Sequence, residues 1–335
     1  MKKKILFRAD GNSSIGLGHL YRLFGLVEIY KKKYDFVFLT KEDTEVSIIP
    51  DNYSVKLIPT EITCNKEPEW IKSNFNSESY IMIVDGYQFK SGYQKSIKEQ
   101  GIKLIYIDDL VQWHMYADVV INHSLGYKSS DYSSEDYTIF GLGSNYALLR
   151  PSFIEESKKN RIIKKVDSVF ICFGGADPFG LTIEAVEALK KNIEIKDIHI
   201  VIGGAFKDKN KLEAIIKDNP RFKIHQNLSE KKMIEVMRST NLAIAPSSTI
   251  LYELCSVKMP ILSGFYVDNQ ERIYKGFLDK GAIFGLGDIS SFNRKDFEFA
   301  LSKFFKTNNI ESYCKAQIGL FDGKIEERFL NIIEE

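Results

Sequence analysis

The residue of this sequence best placed for acid–base chemistry is His19, within the segment NSSIGLGHLYR (12–22). This segment follows a short apolar run, KILFRA, in a chain with only five histidines. Gly16 and Gly18 permit tight backbone geometry, and a helix beginning near His19 would offer free N–H groups to an anion. The positive end of that helix disfavours an imidazolium, which predicts a neutral ring able to accept a proton. A structural turn with a capping or packing histidine fits the same residues.

Two loops of the second half could bind a phosphate. The segment FGGADPFG (173–180) follows an apolar run, and its glycine pair, Gly174 and Gly175, lets the backbone approach a ligand closely. The segment APSSTILYELC (245–255) combines hydroxyls and amides at the start of a predicted helix, which suits an anion. Its candidate ligands are Ser247, Ser248 and Thr249, followed by Glu253 for a ribose diol. A plain β–α turn and an ordinary capping segment would read the same way.

Polar residues also follow two other apolar runs. Asn269 and Gln270, in the segment YVDNQERI, could orient hydroxyl or phosphate groups, although a polar loop would look the same. Asp85 and Tyr87 follow a buried run in the first half, in the segment VDGY. These side chains therefore join the candidates for a site at strand ends.

The acidic pair Asp108–Asp109, in the segment IDDL, raises the question of a metal or an acid–base pair. Because adjacent residues of an extended chain point to opposite faces, we interpret both as loop and cap residues. The remaining histidines share no metal-binding spacing; they are His114, His123, His199 and His225. We expect no metal centre.

The composition is that of an ordinary globular chain. Of 335 residues, 44% are hydrophobic and 27% charged, and 46 basic residues nearly balance 45 acidic ones. No excess of positive charge therefore favours nucleic acid as a partner. No apolar stretch is long enough to span a membrane, and the basic start MKKK lacks the apolar stretch of a signal peptide. Four widely spaced cysteines form no metal or redox motif, so we expect a cytoplasmic protein with reduced thiols.

Short β-branched and aromatic runs alternate with longer amphipathic segments, which is typical of an α/β fold. The runs are continuously apolar, as expected for parallel strands covered on both faces. The predicted strands are 4–9, 34–40, 54–59, 80–86, 103–109 and 118–124 in the first half, and 167–175, 197–204, 221–227, 241–248 and 259–265 in the second. Predicted helices include 19–33 and 91–100.

A polar, charged segment at 150–167 interrupts this alternation and predicts a helix or linker between two domains. We place the domains at 1–153 and 154–322, and predict a last helix, 323–335, that packs back on the first domain. Ligands of open parallel sheets bind outside the carboxyl ends of the strands. All the candidate residues follow strands, so two such sheets facing each other would bring them into one cleft.

Seven segments, taken in order, resemble one known family. They are FRADGNSSIGLGHLYR, IVDGY, INHS, YALLRPSF, FGGADPFGLT, APSSTILYEL and DNQERI. The family is the hydrolase of the bacterial pseudaminic acid pathway, which cleaves UDP from UDP-2,4-diacetamido-2,4,6-trideoxy-β-L-altropyranose. It is related to the glycosyltransferase that adds N-acetylglucosamine to lipid I. The resemblance implies a GT-B fold, in which two Rossmann-like parallel-sheet domains face a cleft; the second holds UDP, and the first brings catalytic groups to the sugar.

The resemblance also implies roles for individual residues. The family's catalytic histidine, in its G-x-G-H loop, matches His19. Residues expected to contact the sugar are Asp10, Asn12, Ser13, Tyr87 and Asn269. Residues expected to contact UDP are Gly18, Gly174, Gly175, Ser247, Ser248, Thr249, Glu253 and Gln270.

The reaction implied is a metal-independent attack of water at the anomeric carbon, with inversion and departure of UDP. Our hypothesis is that His19 takes the proton of the water as the C1–O bond breaks. UDP is a good leaving group, which explains the lack of the paired carboxylates of ordinary glycosidases. We expect a monomer whose partner is a nucleotide sugar, with no cofactor. The alternative is a glycosyltransferase of the same fold that uses a UDP-amino sugar donor.

Overall fold

The computed structural model describes residues 3–12, 15–307 and 309–334. These residues form two compact units. Unit 1 extends to Pro151 and resumes at Lys324, and unit 2 comprises Ser152–Gly323. Each unit is built on one parallel sheet, which confirms the predicted α/β class.

The described residues form thirteen strands and twelve α-helices. The strands are β1 (Lys4–Arg8), β2 (Phe36–Lys41), β3 (Val55–Ile58), β4 (Tyr80–Asp85), β5 (Lys103–Ile107), β6 (Val119–Asn122), β7 (Ile139–Leu142), β8 (Ser168–Ile171), β9 (Asp197–Ile202), β10 (Phe222–Gln226), β11 (Ala243–Pro246), β12 (Ile261–Phe265) and β13 (Phe284–Asp288). The helices are α1 (Gly18–Tyr30), α2 (Glu67–Asn74), α3 (Ser91–Lys98), α4 (Pro151–Ser157), α5 (Leu181–Lys190), α6 (Lys209–Ile216), α7 (Glu230–Ser239), α8 (Thr249–Val257), α9 (Asp268–Asp279), α10 (Arg294–Lys306), α11 (Ile310–Ile318) and α12 (Ile325–Ile332). Short 3₁₀ helices lie at Val46–Ile48, Ser77–Ser79, Ser129–Asp131 and Ser144–Tyr146.

The sheet of unit 1 has seven strands in the order β3-β2-β1-β4-β5-β6-β7. Ile5, Leu6 and Phe7 of β1 are all fully buried, although successive side chains of a strand point to opposite faces. Both faces of the sheet are therefore covered, which is why the run contains no alternating polar residues. In register, Phe7 of β1 lies opposite Ile83 of β4, so these two strands end together.

The sheet of unit 2 has six strands in the order β10-β9-β8-β11-β12-β13. Its core lies on the face that Ile198, Ile200 and Ile202 of β9 line, where α5 and α10 pack over the sheet. Phe297 of α10 and Phe173, just after β8, meet there with ring centroids 6.0 Å apart. The loops at the carboxyl ends of the strands thus begin from a buried core.

In each sheet the strand order changes direction at one point, between β1 and β4 in unit 1 and between β8 and β11 in unit 2. At such a point the loops after the two strands diverge and leave a crevice outside their carboxyl ends. His19 follows β1, and Asp85 ends β4. Gly174 follows β8, and Ser248 follows β11. The topology thus brings one pair of candidate segments to each point of reversal.

Three cationic side chains cap helix ends in unit 2. Arg221 donates to carbonyl groups at the end of α5, and Arg161 does so at the end of α7. The buried Lys258 donates to two carbonyls at and just after the end of α4. These cations satisfy acceptors that the helices leave open and oppose the negative end of each helix dipole. The segment after α4, expected to be a linker, is fixed to unit 2 in this way.

The structure differs from the predicted elements at three places. Strands β7 and β13 were not predicted; each contains glycine and lies at a sheet edge, so pairing with a neighbour rather than composition makes it a strand. The segment 150–167 is helical only over α4. The last helix begins at Ile325 and ends at Ile332.

Helix α12 contributes to the core of unit 1. Its Ile325, Phe329 and Ile332 side chains are buried. The hydroxyl of Tyr30, at the end of α1, donates to the backbone carbonyl of Phe329 at 2.6 Å. The ring of Tyr146 lies against that of Phe329, with centroids 5.8 Å apart. Unit 1 therefore includes two parts of the chain that are far apart in sequence.

Within the described part of the chain, no helix combines the length and the hydropathy needed to cross a membrane.

We expect Phe329→Ala to lower the free energy of unfolding of unit 1 by about 3–5 kcal/mol, because it empties a fully buried ring site. Both tryptophans, Trp70 and Trp113, lie in unit 1, so urea unfolding followed by tryptophan fluorescence reports on this unit. The matched control is Glu327→Ala, an exposed residue on the same helix, which should change stability by no more than about 0.5 kcal/mol. Equal effects of the two variants would contradict the packing of α12 described above.

Candidate active site

His19 lies in the first turn of α1, just beyond a tight loop after β1. Asn12 shapes that loop: its carbonyl accepts from the amide of Gly16 at 2.9 Å, and its side-chain oxygen accepts from Ile15 at 3.1 Å. Gly16 adopts a φ of +80°, which L side chains rarely take. The glycine is thus required by the turn that delivers His19 to the edge of the sheet.

Asp85 is the partner of His19. It ends β4, the neighbour of β1, and its carboxylate is fully buried. Nδ1 of His19 lies 2.7 Å from Oδ1 of Asp85. A ring nitrogen and a carboxylate oxygen this close need a hydrogen between them, since two lone pairs would repel. The proton of a neutral ring is therefore on Nδ1, and Nε2 keeps the lone pair that a base needs.

Arg22, one turn further along α1, contacts both of these groups. Its Nε and Nη2 donate to the two oxygens of Asp85 at 2.9 and 2.7 Å. Nη2 also lies 2.9 Å from Nδ1 of His19. Burial alone would lower the pKa of Arg22, but the carboxylates of Asp109 and Asp85 raise it well above its usual value. The guanidinium is charged throughout the physiological pH range.

Asp109 lies in the loop after β5, as expected, but it also belongs to the same network, which was not predicted. Both of its oxygens accept from Nη1 of Arg22, at 2.8 and 2.7 Å. Burial would raise the pKa of Asp109, but the charge of Arg22 lowers it below the usual range. Its neighbour Asp108 points away and accepts from the amides of Leu110 and Val111, as a cap residue does. The two aspartates do act separately, as expected for adjacent residues.

Tyr87 lies at the exposed side of the network. Its ring meets the His19 ring edge-on, with centroids 4.8 Å apart. Its hydroxyl donates to Oδ2 of Asp109 at 3.4 Å, and 38% of the residue is exposed to solvent. Tyr87 is therefore positioned beside the histidine, where the sequence predicted a contact with sugar.

His123, after β6, is a second histidine at this edge of the sheet. It is buried, and burial together with the charge of Arg22 lowers its pKa to about 4. His123 is therefore neutral near pH 7 and adds no charge to the network.

Asp10 is held by the protein itself. Its carboxylate accepts from Arg8, from the amide of Lys41 at 2.8 Å and from the side-chain amide of Gln88 at 3.1 Å. Arg8 also bonds the fully buried Glu67. Asp10 thus ties together the chain after β1, the end of β2 and the loop after β4. Its predicted contact with sugar stays a prediction, and Ser13 lies outside the described residues.

In unit 2, the glycine pair after β8 has open space beside it, although Gly203 packs closely against the backbone of Gly175. Gly174 has a φ of +86°, and a Cβ on Gly203 would lie 2.5 Å from the Cα of Gly175. The N-terminus of α5, which follows, is already occupied: the carboxylate of Asp177 accepts from the amides of Leu181 and Thr182, at 3.0 and 2.7 Å. This helix start has no free amides of its first turn to offer at those two positions.

The N-terminus of α8 differs. Ser248 is its N-cap residue and makes no side-chain capping hydrogen bond, so the first amides of α8, from Thr249 on, have no side-chain acceptor from the cap. Ser247 is fully buried and shares a 2.9 Å hydrogen bond with Ser263, so its hydroxyl faces the sheet. Glu253 is buried one turn further on. The start of α8 is thus the better placed of the two helix starts to bind an anion.

Asn269 and Gln270 lie in the first turn of α9, whose N-cap residue, Val267, has no side-chain cap. Asn269 is exposed, whereas Gln270 is buried and accepts from the amide of Tyr266 at 3.2 Å. Their predicted contacts with sugar and UDP, like those of Gly18 and of the residues of α8, stay predictions. Among the described residues, no three His, Cys, Asp or Glu side chains cluster so as to hold a metal ion.

No protein-family profile matches the chain. Its sequence is, however, similar to that of a UDP-2,4-diacetamido-2,4,6-trideoxy-β-L-altropyranose hydrolase of Campylobacter jejuni. The two are 31% identical over 286 residues, which cover 83% of this chain and 97% of that protein. The chain belongs to this hydrolase family. The resemblance read from its seven segments is thereby confirmed.

Two further comparisons set the limits of this assignment. An uncharacterised protein of Methanocaldococcus jannaschii is 26% identical over 292 residues; the match covers 83% of this chain but only 58% of the length of that protein. The crystal structure of MurG from Acinetobacter baumannii superimposes with a TM-score of 0.66, at 12% identity, over 99% of both chains. The second likeness concerns the fold alone and confirms the predicted GT-B fold.

His19 was a candidate from the sequence, but the groups that bind it, Asp85 and Arg22, were not predicted as its partners. Asp85 was noted only as a residue after a strand, and Arg22 was not considered. One signal was available: Arg22 follows His19 by three residues, which places both on one face of a helix. The pairing with Asp85 depends on the neighbouring positions of β1 and β4, which no local pattern reveals.

The buried His123 predicts a specific pH dependence of stability. Its pKa is about 4 in the folded protein, against an ordinary value of 6.5, so between these values the unfolded chain binds a proton that the folded protein does not. Stability of unit 1 should therefore fall as the pH drops from 6.5 to 4, by about 3 kcal/mol from this group.

We expect His123→Asn to make that slope shallower while leaving the slope above pH 7 unchanged. The measurement is the urea midpoint of unit 1, by tryptophan fluorescence, at half-unit steps of pH. Parallel slopes for the wild type and the variant would show that His123 does not titrate in this way.

Proposed function

We propose that this chain is an enzyme that processes UDP-sugars. More specifically, we propose a hydrolase that releases UDP from UDP-2,4-diacetamido-2,4,6-trideoxy-β-L-altropyranose in pseudaminic acid biosynthesis. Membership of the hydrolase family supports the substrate. The observation that carries the chemistry is the 2.7 Å contact between Nδ1 of His19 and Oδ1 of Asp85.

In the proposed reaction His19 is the general base. With its proton on Nδ1, the ring presents Nε2 to a water molecule and takes a proton as the water attacks C1 of the sugar. The imidazolium that forms is stabilised by Asp85, which is already aligned with Nδ1 and needs no rearrangement. Attack from the side opposite the leaving group inverts the configuration at C1.

Unit 2 would hold the leaving group. The first amides of α8, with the hydroxyls of Ser248 and Thr249, suit the negative charge that develops on the diphosphate. Gly174 and Gly175 have no Cβ to keep a ligand away from the backbone of their loop, and Glu253 would take the ribose diol. Because UDP leaves readily as an anion, the proposed mechanism needs neither a metal ion nor a strong general acid.

Two exposed residues, Tyr87 and Asn269, would contact the sugar. Tyr87 is exposed beside His19, and the exposed Asn269 opens α9. Asn12 and Asp10 would act largely by shaping the loop that carries His19, since hydrogen bonds within the protein already engage them. A glycosyltransferase of the same fold would place an acceptor hydroxyl where this proposal places water.

We expect the purified protein, in EDTA, to release UDP and free sugar from UDP-2,4-diacetamido-2,4,6-trideoxy-β-L-altropyranose but not from UDP-N-acetylglucosamine. His19→Ala should lower kcat by about 10²- to 10⁴-fold, because it removes the base. UDP affinity, measured by calorimetry, should be unchanged. The matched control is His114→Ala, a histidine of unit 1 that pairs with Glu135 and lies outside the network.

Three results would count against this proposal. No UDP release, with UDP still bound, would favour a transferase that lacks its acceptor. Release of UDP from both nucleotide sugars would show that the enzyme is not specific for the altropyranose. Turnover that survives His19→Ala undiminished would eliminate His19 as the base.

Asp85→Asn tests the orientation of the ring. An amide presents N–H as well as C=O to Nδ1, so it stabilises the tautomer with the proton on Nε2, which has no lone pair to offer. We expect kcat to fall by about 10²- to 10⁴-fold with little change in UDP affinity. Asp118→Asn, which breaks the ion pair with Lys98 elsewhere in unit 1, is the control. Equal activity of the two variants would show that Asp85 has no role in the reaction.

A further inference from the structure

The guanidinium of Arg22 occupies an unusual position, in contact with both members of the His19–Asp85 pair. Nη2 lies 2.7 Å from Oδ1 of Asp85 and 2.9 Å from Nδ1 of His19. Nη1 meanwhile holds the carboxylate of Asp109. Because Nδ1 already donates to Asp85, the contact of Nη2 with Nδ1 is not a hydrogen bond to the ring. It is a positive charge held against the ring.

We infer that Arg22 is a positioning residue that sets the state of His19 before the reaction: it aims Asp85 at Nδ1 and holds the ring neutral, so that Nε2 is free to accept a proton. This inference rests on the proposed role of His19 as base. Arg22 is buried beside the histidine, and the proposed mechanism gives it no contact with the water or the sugar.

The geometry of the hydrogen bonds explains how Arg22 orients Asp85. Arg22 bonds both oxygens of Asp85 through two different nitrogens, Nε and Nη2, which lie in one rigid plane. Two parallel bonds fix the plane of the carboxylate as well as its distance. Oδ1 is thereby directed at Nδ1 of His19 at 2.7 Å. A carboxylate held by a single bond could rotate away and release the ring.

The charged groups that face His19 explain the electrostatic effect of Arg22 on the ring. Helix α1 contributes Arg22, the end of β4 contributes Asp85, and the turn after β4 contributes the hydroxyl of Tyr87. The segment after β5 contributes Asp109, whose carboxylate is bound by Arg22, and the segment after β6 contributes His123, which is neutral near pH 7. With Arg22, two carboxylates are offset by one cation.

Without Arg22, two uncompensated carboxylates would act on the ring and favour its imidazolium form. An imidazolium cannot take a proton from water. Asp85 alone would thus orient His19 and at the same time disable it near neutral pH. Arg22 separates these two effects. It preserves the hydrogen bond between Asp85 and His19, and its positive charge offsets most of the negative charge of Asp85.

Arginine and lysine should differ at this position. A lysine supplies the same charge from one nitrogen and cannot bond Asp85 in parallel while also reaching Asp109. Arg22→Lys should therefore keep His19 neutral but loosen its orientation. Arg22→Gln should lose both properties. The two variants separate the charge of Arg22 from its shape.

The test follows the His19 ring by ¹H–¹⁵N NMR in the substrate-free protein as the pH is varied. We expect the midpoint of ring protonation to rise by about one pH unit or more in Arg22→Gln and to stay near the wild-type value in Arg22→Lys. The acid limb of the kcat/KM profile should move with the midpoint in Arg22→Gln. In Arg22→Lys the limb should stay in place while kcat at its plateau falls about tenfold or more.

Two further proteins keep the test decisive. The double variant Arg22→Gln, Asp109→Asn removes equal and opposite charges, so it guards against a failure of the single variant to fold. Its midpoint should also rise, because it removes the cation in contact with the ring and leaves Asp85, the carboxylate in contact with the ring. Lys98→Gln breaks an ion pair elsewhere in unit 1 and should leave the midpoint unchanged. An unmoved midpoint in folded Arg22→Gln or in the double variant would overturn the inference. Because the NMR arm uses no substrate, a shifted midpoint in a protein that hydrolyses nothing would reject the proposed function alone.

Discussion

One buried carboxylate, Asp85, organises unit 1 at its functional edge. It accepts from a histidine on one side and from an arginine on the other, and it is fully excluded from water. A carboxylate in that position is stable only if every acceptor site is occupied. Asp85 therefore fixes the start of α1, because its partners His19 and Arg22 both lie there. Arg22 in turn holds the segment after β5 through Asp109.

The sequence was informative where a local pattern decides the structure. Continuous apolar runs identified eleven of the strands because both faces of each sheet are buried, and glycine spacing identified the turn before His19. It was uninformative where a distant neighbour decides. Asp109 reads as a loop residue until Arg22 is placed opposite it, and β7 and β13 become strands only by pairing at a sheet edge. The histidine of the site can thus be predicted from a local pattern, whereas its partners are known only once the chain is folded.

Unit 2 shows the same division within two similar loops. Both follow strands at the reversal of the sheet, and both looked equally suited to a phosphate. The difference is one side chain: Asp177 turns back and occupies the start of α5, whereas Ser248 leaves the start of α8 without a side-chain cap. The sequence does not show whether an aspartate four positions before a helix bonds the first amides of the helix or faces solvent, because the loop between them decides its direction.

The return of the chain to unit 1 has a consequence for biosynthesis. The ribosome produces residues 152–323, the whole of unit 2, before it produces α12, which supplies buried side chains to unit 1. Tyr30 must wait for an acceptor 299 positions later in the chain. The domain that begins first is therefore completed last, and until then its nascent core exposes apolar surface of the kind that chaperones bind.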